Sequence, residues 1–336
     1  MRKSLTHRLL ENLIPLAIAI AVPFVFRAMG YPFGITIGIF ILISIITATG
    51  MDVLFGYSGQ MSMGHAGFYA IGAYGTALMT IHLGLPVLLS IFLAPFLAAG
   101  VGALLAFPAS KLKFHFLALA TIAFGQIAFL FVLQSPGGIT GDAVGLRVPR
   151  LELFGVRLGL MGNPVYTYLF VLFAVVLVLI AKSNIVNSRV GRALLAIREN
   201  AHAADGMGVN VRKYKIIAFA VSAFFVALAG SLFAHIAGWI SPDGFNDTQS
   251  VLFVTMMLLG GSGSKWGPVL GAIVVIILQE QLRPLANVAV FIYGGILLFV
   301  IWLMPGGIVG TVQRFIPWIR KHIQHRFGAK REIGGD

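Results

Sequence analysis

Cysteine is absent from the 336 residues, which excludes disulfides, thiolate metal sites and cysteine nucleophiles. Charge is scarce as well. Asp, Glu, Lys and Arg together make up 10% of the chain, where a soluble domain carries about 25%. So few charges cannot cover a soluble surface, and disorder demands the opposite composition, low hydrophobicity with high charge. Catalytic constellations are missing too. The stretch Gly260-Gly-Ser-Gly-Ser-Lys265-Trp266 lacks both the spacing of a phosphate-binding loop and the hydroxyl after its lysine. There is no H-E-x-x-H, Gly56-Tyr-Ser58-Gly is an incomplete nucleophile elbow, and no paired carboxylates share a helical face. No enzyme activity, metal or cofactor is therefore expected of the chain.

What is abundant is apolar: 58% hydrophobic residues and a mean hydropathy of +0.94. That excess must face lipid. A spanning helix takes about 20 mostly apolar residues and tolerates internal Gly or Pro. Candidate segments lie at 9–26, 35–53, 61–81, 86–108, 114–134, 164–181, 216–239, 247–261, 267–282 and 287–304. The fold expected is all-α, a polytopic integral membrane protein of about ten transmembrane or re-entrant helices. The eighth and ninth segments are short and separated only by Gly260 to Gly267, a pattern of half-helices that re-enter the membrane. Residues 1–310 form the membrane domain, with an outside loop at 135–163 and an inside loop at 182–215, and 311–336 form a basic tail. The first apolar run follows Arg2, Lys3 and Arg8 but lacks a small-x-small cleavage site, so it is read as an uncleaved helix rather than a signal peptide.

The chain carries 24 Lys and Arg against 11 Asp and Glu. In a soluble protein a net +13 would point to nucleic acid. Here the basic residues fall in alternate loops. With the N-terminus inside, ten crossings leave only Arg27, Arg147, Arg150, Arg157 and Arg283 outside, and the other 19 inside. That asymmetry sets the orientation, places both termini in the cytoplasm and makes a nucleic-acid partner unnecessary.

In segment three Ala66, Ala70, Ala73 and Ala77 form one helical stripe thinned by Gly64, Gly67, Gly72 and Gly75, a face suited to close helix packing in lipid. Its approach, Gly56-Tyr-Ser-Gly-Gln-Met-Ser-Met-Gly-His65, is polar and Gly-rich at a depth where bare backbone is costly. Two readings stand: Ser58, Gln60, Ser62 and His65, with Gln126 of segment five, line a solute path, or the stretch is a tight polar turn with a packed histidine. Gly263, Gly267 and Gly271 repeat G-x-x-x-G and read as a packing face or a re-entrant turn. Ionisable residues at membrane depth are few: Asp52, His65, His82, His115, His235 and Glu280, most of them near segment ends. Glu280 and Arg283 have helical spacing for a local ion pair, and the scarcity of carboxylates argues against a proton-driven carrier.

In the inside loop Leu194, Ile197, Ala201 and Ala204 recur at i, i+3, i+7, i+10 of an amphipathic helix. Its other side carries Arg198, Glu199, His202 and Asp205, and Gly206 stops it. Such a helix either rests on anionic lipid or docks its apolar ridge in a groove of a cytoplasmic partner.

Four motifs stand in one order: Phe55-Gly-Tyr-Ser-Gly-Gln-Met-Ser-Met-Gly-His-Ala-Gly-Phe68, Gly191-Arg-Ala-Leu-Leu-Ala-Ile-Arg-Glu-Asn200, Ile240-Ser-Pro-Asp-Gly-Phe245 and Leu259-Gly-Gly-Ser-Gly-Ser-Lys-Trp-Gly-Pro268. With them the chain resembles, over nearly its whole length, the permease subunits of bacterial branched-chain amino acid ABC transporters, the second of the two paired permease types. The resemblance implies a heteromeric importer in the inner membrane, in which a second permease subunit, two cytoplasmic ATP-binding subunits and a soluble extracytoplasmic substrate-binding protein are the partners. It also implies that Arg192, Leu194, Ile197, Arg198, Glu199, Asn200, Asp205 and Gly206 couple the membrane domain to the ATPases. In the general importer loop Glu-Ala-Ala precedes Gly at a fixed distance; here Glu199-Asn-Ala201 has its Gly206 one place late. The Gly-rich outside stretch Gly137–Leu146 is similar to the family's but interrupted by Asp142-Ala143. Implied substrates are branched-chain or other neutral amino acids, with urea or short amides as the alternative within the family and a stand-alone secondary carrier as the alternative outside it.

The lack of cysteine makes the topology directly testable. A cysteine introduced at Asp142 or Glu152 is expected to react with an impermeant thiol reagent from outside, and one at His202 only after lysis. Labelling of His202→Cys in intact spheroplasts would contradict the orientation.

Overall fold

A computed structural model describes residues 5–110, 114–153, 155–160, 162–283, 291–292, 294–295 and 306–311. Its helices are α1 (Leu5–Ala28), α2 (Pro32–Met51), α3 (His65–Ile81), α4 (Val87–Ala109), α5 (Phe114–Gln134), α6 (Pro164–Asn187), α7 (Arg189–Glu199), α8 (Ala201–Gly206), α9 (Val211–Ala237), α10 (Asp247–Gly260) and α11 (Gly267–Leu282). The tenth expected segment lies outside the described residues except at 291, 292, 294 and 295. Lys111, Lys113 and all but the first residue of the basic tail lie outside them too.

Helix boundaries follow local chemistry. Pro32 and Pro164 stand at first helical positions, where a missing N–H is harmless. Asn163, Ser188, Asn200, Asn210 and Asn246 each accept a backbone N–H of the helix that follows, capping α6 to α10 in turn. The caps at Ser188 and Asn200 divide the expected single amphipathic helix into α7 and α8. Five described stretches are long and apolar enough to cross a membrane: Pro32–Tyr57, Val87–Ala109, Phe116–Gln134, Pro164–Asn187 and Val211–Ala237. α10 and α11 are shorter, 14 and 16 residues, as the sequence indicates. Segment three begins as a helix only at His65, four residues later than expected, because α2 runs on through a π-helical turn, Asp52–Tyr57, into a non-helical stretch at 59–64.

α9 is the central post, packed against α2, α3 and α4. The approach of α3 to α9 is close enough that a Cβ on Gly72 would strike the backbone of Ala227, and one on Gly230 the carbonyl of Tyr69. Ser231 Oγ closes this seam, donating to the Gly72 carbonyl at 3.0 Å and to its own helix at Ala227, 2.9 Å. Ala66, Ala70, Ala73 and Ala77 are all buried, so the stripe faces the bundle. Of the glycine repeat, Gly271 presses against α10 backbone at Met256 and Gly267 against Gly261 just after α10, together with Gly260 against Gly267, while Gly263 is a turn residue at φ +73°. Large apolar side chains, among them Phe96, Leu104 and Phe173, point outward, the inverse of a soluble protein.

The helical fold carries two small antiparallel ribbons at the end opposite α7. β1 (Leu146–Arg147) pairs with β4 (Trp239–Ile240), and β2 (Glu152–Leu153) with β3 (Val156–Arg157). The loop at 135–163 thereby folds over the end of α9. His235 ties it down, Nδ1 hydrogen-bonded with the Pro149 carbonyl at 2.6 Å and Nε2 with Thr76 Oγ1 at 2.9 Å.

The α3–α9 seam sets a stability prediction. Gly72→Val forces backbone apart and is expected to cost about 1–3 kcal/mol, the overpacking range. Leu104→Ile, on a side chain 76% exposed, leaves stability unchanged. Thermal unfolding of the two variants in detergent checks the contrast.

Candidate functional site

The break between α2 and α3 is held by three other helices. Ser58 Oγ donates to the Leu54 carbonyl at 2.6 Å. Gln60 Nε2 donates to Ser58 Oγ at 2.8 Å and to the Lys215 carbonyl of α9 at 3.3 Å. Met63 N–H donates to Thr121 Oγ1 of α5 at 3.1 Å, and a Cβ on Gly64 would collide with the Thr121 carbonyl. His65 is hydrogen-bonded on both ring nitrogens, Nδ1 with Ser62 Oγ and Nε2 with Ser222 Oγ of α9, each at 2.8 Å. The Ala66 N–H donates to Ser250 Oγ of α10 at 2.9 Å. Of the backbone at the break, the Met63 and Ala66 N–H groups are met by side chains of α5 and α10, and those of Gly59 and Gln60 by the carbonyls of Phe55 and Leu54.

The structure brings Ser58, Gln60, Ser62 and His65 together, all buried. Gln126 stands apart from them on α5, half-buried and donating to the carboxylate of Asp247 at the start of α10. In the conformation described these groups are partnered and enclosed, so a solute path through them requires α3, α5, α9 and α10 to separate.

A buried ion pair beneath this cluster escaped the sequence analysis. Lys182, assigned by hydropathy to the inside loop, lies within α6, which continues to Asn187. Its Nζ sits 2.6 Å from Asp52 Oδ2 and donates to the Ser264 carbonyl at 3.1 Å. Asp52 Oδ1 accepts the Gly263 N–H at 2.6 Å. The side chains are 5% and 0% exposed. The available signal was a carboxylate and an ammonium each embedded in an apolar run with no opposite charge nearby in sequence. The expected pair of Arg283 with Glu280 is present but exposed, at 3.4 Å.

α7 and α8 pack beneath the same end of the bundle. α7 lies against α6, the π-helical turn and α9. Leu194, 1% exposed, and Ile197, 4% exposed, are buried against these parts of the chain itself. This corrects the expectation that the apolar ridge is the surface offered to a partner: it is already covered. Gly191 permits the elbow, since a Cβ there would strike the backbone of Val186. Arg198 reaches back into the membrane domain, its guanidinium donating to the Gly56 carbonyl. The outward face carries Arg192, Leu195, Glu199, Asn200, His202, Asp205, Gly206 and Met207, all exposed. Two apolar side chains interrupt it, Leu195 at 38% and Met207 at 86% exposure. Beside them the Arg212 guanidinium stacks on the Phe107 ring, 3.9 Å from its centroid, fixing the start of α9 to α4.

The buried pair predicts a large stability contrast. Lys182→Met leaves Asp52 uncompensated and is expected to cost about 3–5 kcal/mol. Arg157→Met, which breaks the exposed pair with Glu152, leaves the melting profile unchanged. Thermal unfolding of the two variants in detergent measures both effects.

A family profile described as the permease component of the branched-chain amino acid transport system matches residues 33–301. The chain is 31% identical over 330 residues to the high-affinity branched-chain amino acid transport system permease protein LivM of Escherichia coli K12, spanning 90% of this chain and 76% of that protein. It is 27% identical over 256 residues to the probable branched-chain amino acid transport permease LivM of Methanocaldococcus jannaschii, 72% and 73% of the two chains. A shorter match, 35% identical over 122 residues, covers 34% of this chain and 32% of the xylose transport system permease protein XylH of Haemophilus influenzae. No solved structure matches the chain. All of these relatives are transport permeases rather than enzymes.

Proposed function

We propose that this chain, which belongs to the branched-chain amino acid transport permease family, is the membrane subunit of an ATP-driven importer for branched-chain or other neutral amino acids. The observation that carries the substrate class is the match along 90% of the chain to a branched-chain amino acid permease. The sugar-permease match covers only about a third of it. The importer acts in the bacterial inner membrane with both termini cytoplasmic, in keeping with the distribution of Lys and Arg. Its partners are a second permease, two cytoplasmic ATP-binding subunits and an extracytoplasmic binding protein that delivers the solute.

The mechanism is alternating access. In this reading the Ser58, Gln60, Ser62 and His65 cluster, bonded to α9 through Gln60 and His65 and flanked by Met63 and Ala66 bonded to α5 and α10, closes the path. Separation of those helices exposes hydroxyl, amide and imidazole groups that can replace the hydration of a zwitterion. Gln126 and Asp247 occupy the neighbouring wall. Nothing in this cycle asks the chain to form or break a covalent bond.

Docking of the ATP-binding subunit falls to the exposed side of α7 and α8. Leu195 and Met207 are the apolar contacts, and Arg192, Glu199, His202 and Asp205 form the polar rim. This replaces the Leu194 and Ile197 ridge as the partner surface. Leu194 and Ile197 retain a part in coupling by seating α7 on the bundle, so that a push on its outer face moves the helices beneath.

Reconstitution tests both claims. The chain assembled with its second permease, ATP-binding subunits and binding protein is expected to import leucine only with ATP, and the chain alone in liposomes under an ion gradient to import none. Leu195→Asp combined with Met207→Asp places charge in a desolvated contact and is expected to abolish co-purification of the ATP-binding subunits without loss of the folded membrane domain. Wild-type stoichiometry in that variant would refute the docking surface.

A further inference from the structure

Two distant parts of the chain bond the Asp52 carboxylate, and α7 reaches the same π turn beside it. Asp52 opens the π-helical turn that ends α2, and such widened turns recur at functional positions. Lys182 reaches it from α6, and the Gly263 N–H from the α10–α11 turn. One residue beyond Gly263, the Ser264 carbonyl accepts from the same Lys182 ammonium. Gly56, four residues along the π turn, has no room for a side chain, because a Cβ there would collide with Asp52 Oδ1 and the Gly263 N–H. The guanidinium of Arg198, from α7, donates to the Gly56 carbonyl and also flanks Gly263, where a Cβ would stand 2.8 Å from its Nη1. Gly59, at φ +68°, turns the chain beside the same arginine, where an added Cβ would stand 3.3 Å from the Arg198 Cγ.

A buried ion pair is a poor source of stability, since well-packed apolar residues of like volume serve as well. What it supplies is geometry. Charge-assisted hydrogen bonds hold their partners in a fixed orientation, and here each bond joins two different elements.

We propose that Asp52 and Lys182 are positioning residues of a buried latch that makes α7 and the α10–α11 turn one rigid body, so that displacement of α7 is delivered to the α10–α11 hairpin. The proposal rests on the reading of α7 and α8 as the docking element. It adds the route by which movement leaves that element. Arg198 is the outer jaw of the latch and the Asp52–Lys182 pair its fixed side. α10, which through Ser250 meets the start of α3 beside the polar cluster, is the helix so moved.

The cysteine-free chain suits a distance measurement in the assembled transporter. Spin labels on Arg189→Cys and Lys265→Cys, both exposed positions outside the proposed docking rim, are expected to keep one narrow separation with and without a non-hydrolysable ATP analogue. In the same experiment Asp52→Asn with Lys182→Met, which removes both charges and strands neither, is expected to broaden that separation. Solute imported per ATP should then fall about tenfold, the scale of a typical coupling between sites. A merely structural pair would give a folded double variant with the wild-type transport ratio, and that result overturns the proposal. So does a wild-type separation that shifts between nucleotide states, which decides the matter even where the double variant fails to fold. Intact ATPase binding after Leu195→Asp with Met207→Asp would instead refute the docking surface, whereas the label distance reads the latch wherever the partner binds.

Discussion

In hydrocarbon a backbone amide or an ionised side chain without a partner costs several kcal/mol, and the interior of this bundle is organised around meeting that cost at the place where a helix is broken. Between Ser58 and Gly64 the chain leaves helical geometry, and α5, α9 and α10 each contribute a hydroxyl or a carbonyl that answers a donor there. On the proposed alternating-access reading, the same helices that satisfy the break are the ones that part for a solute to pass, so closure of the path and satisfaction of the backbone coincide.

Packing elsewhere serves that arrangement. Lipid offers no hydrophobic drive for helices to associate, so α3 meets α9, and α10 meets α11, through glycine and alanine faces that bring backbone against backbone. Close approach makes the contact stiff, and stiffness lets a movement at one end of a helix reach the other. At the opposite end of the bundle the loop at 135–163 is fastened to α9 and α3 through His235, so the central post is held at both ends.

The scarcity of ionisable groups gives the few buried ones their weight. Asp52 and Lys182 could be replaced by apolar residues with little loss of stability, yet they hold α2, α6 and the α10–α11 turn in register beside Arg198. In the importer proposed, the work arrives mechanically through α7, and the polar node at its seat is the latch proposed to direct it.

Membrane character, the extent of α4 to within one residue and the shortness of α10 and α11 were all legible in the sequence, because apolar run length and turn residues are local properties. The buried stripe of α3 and the polar cluster from Ser58 to His65 were legible for the same reason: small or polar residues stand out against an apolar run. Other features depend on residues far apart. Gly263 and Asp52 are 211 positions distant, and no periodicity links Lys182 to either. Helical spacing marked the ridge of Leu194 and Ile197 as buried but not by what, and the chain itself turned out to be the cover. An amphipathic face records only that it must leave water. Which surface receives it, and which distant charge neutralises a buried carboxylate, is decided when the helices assemble.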